Sequence, residues 1–233
     1  EMRESDWSSD VCSSDLIPSE AQLVTCGVDV QLDHFWYVIR AWGPRVKSWL
    51  VDYGRLEHWE DVQDLLDREI PIEGGGNGVI SVMILDSGYR TEEVYDFAAS
   101  NVGLVFPSKG SSQARCMSPI TESRVVPKGG GGPELKLLVV DTNYYKDMLS
   151  RRIHPTEDNP PRWFVFKDIH REYAEQVCSE HCVEDVDRKG RKVYTWQPVT
   201  DHTPNHLLDC EVIATVGAEY IGVRNLREEE EAV

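Results

Sequence analysis

No stretch of about 18 consecutive apolar residues occurs in the chain, which excludes a membrane-spanning helix. No segment joins a basic start, an apolar middle and a small-residue cleavage site, so no secretory signal is expected. Positive charge is scarce: 24 Lys and Arg stand against 41 Asp and Glu, a net charge of -17. That balance excludes a protein that coats nucleic acid by bulk charge, since such domains are basic. It leaves open an acidic site whose charge is offset by a bound divalent ion. The six cysteines, Cys12, Cys26, Cys116, Cys178, Cys182 and Cys210, show no paired framework, and a chain of this length needs no staples. Reduced thiols in a cytoplasmic setting are expected.

What is present, 233 residues, suits one large α/β domain or two small ones and is long enough to bury a real core. The leading segment departs from the rest. Residues 6–16 read DWSSDVCSSDL, which matches the translation of a common short-read sequencing adapter. Residues 1–16 are therefore expected to be artefact, within a leading segment of artefact and linker over 1–20, and whatever preceded Ile17 to be missing. Cys12 would then carry no meaning.

Apolar runs at 23–30, 35–42 and 46–53, separated by short polar breaks, predict an antiparallel meander. Helical spacing of Trp59, Val62, Leu65 and Leu66 predicts a helix over 57–69. The strongly apolar VISVMIL at 79–85 predicts a strand, followed by a helix from Thr91, as cap, to Ser100. A short strand at 103–107 and a Gly-rich, flap-like loop over 109–133 come next. Strands at 135–140 and 163–166, helices at 142–152 and 170–179, and a hairpin of 183–187 with 192–196 are expected. Thr203-Pro204 reads as the start of a last helix running to Ile221. The tail 226–233, with four consecutive Glu, reads as an acidic flexible end.

Three acids stand out by context. Asp29 lies inside the first apolar strand, where an unpaired charge is costly. Asp86 ends the most apolar strand. Asp209 lies on an apolar-rich helix, on one face with His206 and Ile213. Taken singly, each also reads as a structural acid: satisfied in the core, capping a turn, or exposed on a helix. Together they are a donor set for hard divalent cations, two of which can clamp both oxygens of a phosphodiester displacement.

The order of these elements resembles the RNase H-like nucleases. The stretches GVDVQLDHFWYVIRAWG, ILDSGYRTEEVYDFA, VVDTNYYKDMLSRRI and NHLLDCEVIA, with the Lys109-Gly110 step after VFPS, are similar to the nuclease domain of the lambda-type large terminase subunit of tailed phages. The resemblance covers roughly residues 21–222, and VDVQ, DSGY and LDC in that order are its most specific part. It implies a central mixed β-sheet, an antiparallel meander plus parallel strands, flanked by helices over 21–225. It implies an endonuclease that cuts concatemeric viral double-stranded DNA, with Asp29, Asp86 and Asp209 holding Mg²⁺ or Mn²⁺, two ions bridged by Asp29. Lys109 would approach a phosphate, or equally be a solvated loop lysine. The implied partners are double-stranded DNA, the small terminase subunit and the portal or procapsid, in the host cytoplasm and with no membrane. The family's packaging ATPase is expected to be absent, because no G-x-x-x-x-G-K-[ST] occurs.

Second-tier candidates are Lys146 and Arg90 as phosphate contacts, Asp33 as a turn acid or support for Asp29, and His206 as a packed or phosphate-orienting histidine. Cys178, His181 and Cys182, with His170, form a cluster lacking a second clear zinc-ligand pair. Trp36, Trp42, Trp49 and Trp59 read as packing residues. Two other readings are carried: an RNase H-like resolvase or integrase, and a catalytically silent docking module for the portal or small subunit.

Overall fold

A computed structural model describes residues 15–111, 117–128, 132–186 and 190–228. The first three strands, β1 (Leu23–Val30), β2 (Phe35–Trp42) and β3 (Ser48–Leu56), form the expected meander. The helix α1 (Trp59–Asp67) and a small ribbon of β4 (Ile70–Pro71) with β5 (Asn77–Gly78) lead to β6 (Val82–Asp86). Next come α2 (Thr91–Ser100), β7 (Val105–Gly110), β8 (Ile120–Val125), β9 (Leu135–Val140) and α3 (Thr142–Ile153). The chain continues through β10 (Trp163–Phe164), α4 (Arg171–Val177), the hairpin β11 (Glu180–Val186) and β12 (Lys192–Pro198), and α5 (His206–Tyr220).

Eight strands make one mixed sheet in the order β10-β3-β2-β1-β6-β7-β9-β8. The meander is antiparallel, while β6, β7 and β9 follow β1 in parallel. This is the mixed α/β architecture expected from the sequence.

Strand alternation sorts the core into two layers. Cys26, Val28, Met83 and Leu85 face α1 and α2, where Val62, Leu66, Val94 and Ala98 meet them. Val82 and Ile84 face the other way, against Tyr145 of α3 and Val212, Ile213 and Val216 of α5. Two positions before Asp29, Gly27 lets α5 lie directly on β1: a β-carbon there would come within 2.2 Å of the Cys210 carbonyl oxygen. By the same alternation Asp29 and Asp86 face α5.

Some elements differ from expectation. Residues 120–125, expected as loop, pair with β9 as an edge strand whose side chains are mostly exposed, so no hydrophobic period marked them. Thr91 is not a cap; its hydroxyl donates to the Ser87 carbonyl at 2.8 Å, and Arg90 takes the capping position. The last helix begins at His206 rather than at Thr203-Pro204. Its Leu207 N–H is satisfied by Gln176 Oε1 of α4 at 3.1 Å, a tertiary contact in place of a local cap. Ile17, the first residue after the adapter-like stretch, is buried and bridges Ile72 beside the β4–β5 ribbon. Residues 1–14, 112–116 and 129–131 of the expected loop, 187–189 of the hairpin turn and 229–233 of the tail lie outside the described residues.

Candidate active site

Val28 of β1 stands opposite Leu85 of β6 in the parallel register. Asp29 and Asp86 each follow by one residue, so they leave adjacent strands side by side. Local contacts fix the end of β6. Ser87 N–H and Oγ both donate to the Ser108 carbonyl of β7, at 2.9 and 2.7 Å, and Gly88 N–H donates to Asp86 Oδ2 at 3.3 Å. A β-carbon on Gly88 would stand 2.9 Å from that oxygen, so DSG is a unit: Ser pins the strand and Gly leaves room for the carboxylate.

Asp29 is 5% exposed, and its Oδ2 accepts from Gln31 Nε2 at 2.8 Å and from His206 Nδ1 at 2.7 Å. Asp209 enters from the first turn of α5. Its Oδ1 lies 3.2 Å from Lys146 Nζ of α3, and its Oδ2 accepts from Asn205 Nδ2 at 3.0 Å. Glu180, at the start of β11, completes this side. It accepts from Lys146 Nζ at 2.8 Å on each oxygen and from Asn205 Nδ2 at 2.8 Å.

The electrostatics tie the three aspartates together. Burial raises the Asp86 carboxyl to about 6, and the charge of Asp29 adds to the rise; the Gly88 and Ser87 N–H groups and Lys109 oppose it. Burial likewise raises Asp209 to about 6; Lys146 opposes the rise, while Asp29 and Glu180 reinforce it. Two carboxyls pushed up by burial and by a shared charged neighbour mark a site short of positive charge.

Three carboxylates are the oxygen donors that hard divalent cations take. They fit such an ion in chemistry and in charge. Among the described residues no three His, Cys, Asp or Glu side chains already close into a metal cage. Asp29 and Asp209 are instead turned toward His206, Gln31, Lys146 and Asn205.

The other candidates sort clearly. Lys109 is exposed at the end of β7, near enough for its charge to act on Asp86. Lys146 is at the site, as an ion-pair partner of two acids. Arg90 is elsewhere: it pairs with Glu93 at 2.5 Å and lies over Phe35 and Trp59, on the α1–α2 side of the sheet. Asp33 pairs with His34 at 2.7 Å. His206, expected beside Asp209, bonds Asp29 instead. Cys178 ends α4, whereas His181 and Cys182 are successive residues of β11 and so point to opposite faces; no zinc cluster forms among the described residues. Trp42 and Trp49 are core, Trp59 packs on Phe35 and Phe97, and Trp36 stacks on His206. Sequence reasoning missed Glu180 and Asn205, whose significance arises only where separate elements meet.

A mixed sheet that delivers acids from adjacent parallel strands to the first turn of a covering helix defines the chain as an α/β domain with an acidic cluster at one end of its sheet. The chain belongs to the terminase large subunit gpA endonuclease domain family, which matches residues 3–230. The terminase large subunit of Escherichia phage lambda is 26% identical over 215 residues, covering 85% of this chain and 32% of the relative. This chain thus spans about a third of that protein's length. Among solved structures, the large terminase nuclease from thermophilic phage G20c aligns over 87% of this chain and 94% of its own, at 10% identity and a TM-score of 0.43. No described helix is long and apolar enough to cross a membrane.

Proposed function

We propose that this chain is a divalent-metal-dependent endonuclease that hydrolyses phosphodiester bonds of concatemeric viral double-stranded DNA during phage genome packaging. The observation that carries the reading is that Asp29 and Asp86 leave adjacent parallel strands side by side, with the charge of Asp29 acting on both Asp86 and Asp209. Asp29, Asp86 and Asp209 would hold the two ions. Bound Mg²⁺ or Mn²⁺ supplies charge stabilisation and an acidified water.

The chain's own residues do the rest. Ser87 and Gly88 orient Asp86, and His206 and Gln31 hold one oxygen of Asp29. The Lys146 ammonium keeps Glu180 and Asp209 in place. Lys109, exposed beside Asp86, would meet a backbone phosphate. With a net charge of -17 the protein gains little from bulk attraction to DNA, so cations at the carboxylates would provide the local positive field. ATP hydrolysis is not assigned to these residues, which contain no P-loop motif. The small terminase subunit and the portal or procapsid, in the host cytoplasm, are the partners this role would require.

Nicking of supercoiled plasmid in Mn²⁺, Mg²⁺ and EDTA tests the reading. Cutting that appears with metal and disappears with EDTA supports it. No cutting at high protein would favour a docking role instead.

A further inference from the structure

The two donors that reach Asp29 both reach the same oxygen. Gln31 Nε2 and His206 Nδ1 converge on Oδ2, at 2.8 and 2.7 Å. Among the described residues none donates to Oδ1. A carboxylate only accepts, so His206 carries its hydrogen on Nδ1 toward Asp29. One oxygen is therefore tethered and the other is left to a ligand.

The tether is itself held. The His206 ring lies parallel to the Trp36 indole, with centroids 5.7 Å apart and 7° between the planes. Trp36 is the cross-strand partner of Asp29 on β2. Its Nε1 donates to His34 Nε2 at 3.2 Å, and His34 Nδ1 meets Asp33 at 2.7 Å. A stacked ring cannot tilt freely, so the direction of the Nδ1–H bond is set by Trp36. His206 is also the first residue of α5, three before Asp209. A bond from it to Asp29 thus links the position of one carboxylate to that of the other.

We infer that His206, fixed by its stack on Trp36, is a positioning residue that aims Asp29 Oδ1 at the divalent cation and locks Asp29 in register with Asp209. The inference rests on the reading of these aspartates as the cation site. It gives a role to Trp36, whose indole N–H donates to His34 rather than to a carboxylate. Polar groups that orient a ligand carboxylate from behind change metal affinity by about 10- to 100-fold when removed.

The test is Mn²⁺ affinity of the metal-free 233-residue chain, measured by electron paramagnetic resonance of free Mn²⁺. The variants are His206→Ala, His206→Gln, Trp36→Phe and Trp36→Leu, with Asp29→Asn as reference, each checked for folding by circular dichroism. We expect His206→Ala to weaken binding at least about tenfold. His206→Gln, which keeps a donor, should recover most of it. Trp36→Phe should keep near wild-type affinity, and Trp36→Leu should lose several-fold. Wild-type affinity in His206→Ala, or equal loss in the Ala and Gln variants, overturns the inference while the site reading stands. Wild-type affinity in Asp29→Asn overturns the site reading itself.

Discussion

Gly27 and Cys210 are in backbone contact: a β-carbon on Gly27 would stand 2.2 Å from the Cys210 carbonyl oxygen and 2.7 Å from the Ala214 nitrogen. The obstacle is helix backbone, which cannot rotate aside. Gly27→Ala should push α5 off β1, destabilising the chain by about 3 kcal/mol. Urea denaturation checks this. Metal binding should fall with it, because Asp209 moves with the helix.

Gly88 makes a close approach of another kind. Here the neighbour is the Asp86 carboxylate, which can swing away. Gly88→Ala should leave the melting temperature nearly unchanged yet lower the turnover of DNA nicking roughly 10- to 100-fold, through a misaimed Asp86. Turnover and melting measured on one preparation separate the two glycines.

Arg40 and Glu211 form a wholly buried ion pair at 2.6 Å, with Ser48, Tyr173 and Trp163 as further partners. Removing either charge leaves the other uncompensated. Glu211→Leu should cost about 3–5 kcal/mol. The double variant Arg40→Met with Glu211→Leu should be more stable than Glu211→Leu alone, by chemical denaturation.

The raised carboxyls of Asp86 and Asp209 fix a pH dependence. Both sit at about 6 in the fold, against 3.8 for a free Asp. Between those values the folded chain binds more protons than the unfolded one, so their contribution to stability is full below about pH 3.8 and is lost as pH rises through 6. Without metal, Asp86→Asn should stabilise the chain at pH 7.5 and leave it unchanged at pH 3.5, in melting experiments. Mn²⁺ affinity should fall as pH drops toward 6, because protons then compete with the ion for the two carboxylates.

The sheet and the three aspartates were legible because each element carried its own signal. Asp29 and Asp86 interrupt or end apolar runs, and apolar character marked the strands that hold them. The edge strand Ile120–Val125 carried no such signal, since the sheet asks of it only main-chain pairing. The start of α5 was misplaced because Gln176, thirty-one residues earlier, does the work of a local cap. Lys146, Glu180 and Asn205 come from a helix, a hairpin strand and a helix terminus, and only tertiary folding makes them one ion-paired group. His206 was placed by helical spacing with Asp209, yet its ring turns to β1, a direction that periodicity along one helix does not encode.

The central claim is that Asp29, Asp86 and Asp209 together hold divalent cations. Anomalous diffraction from crystals of the chain soaked in Mn²⁺ tests it most directly. The account predicts two peaks about 3.5–4 Å apart, bridged by Asp29, with Asp86 on one and Asp209 on the other. Peaks at other residues, or none in a protein that still cuts DNA only with Mn²⁺, would contradict it.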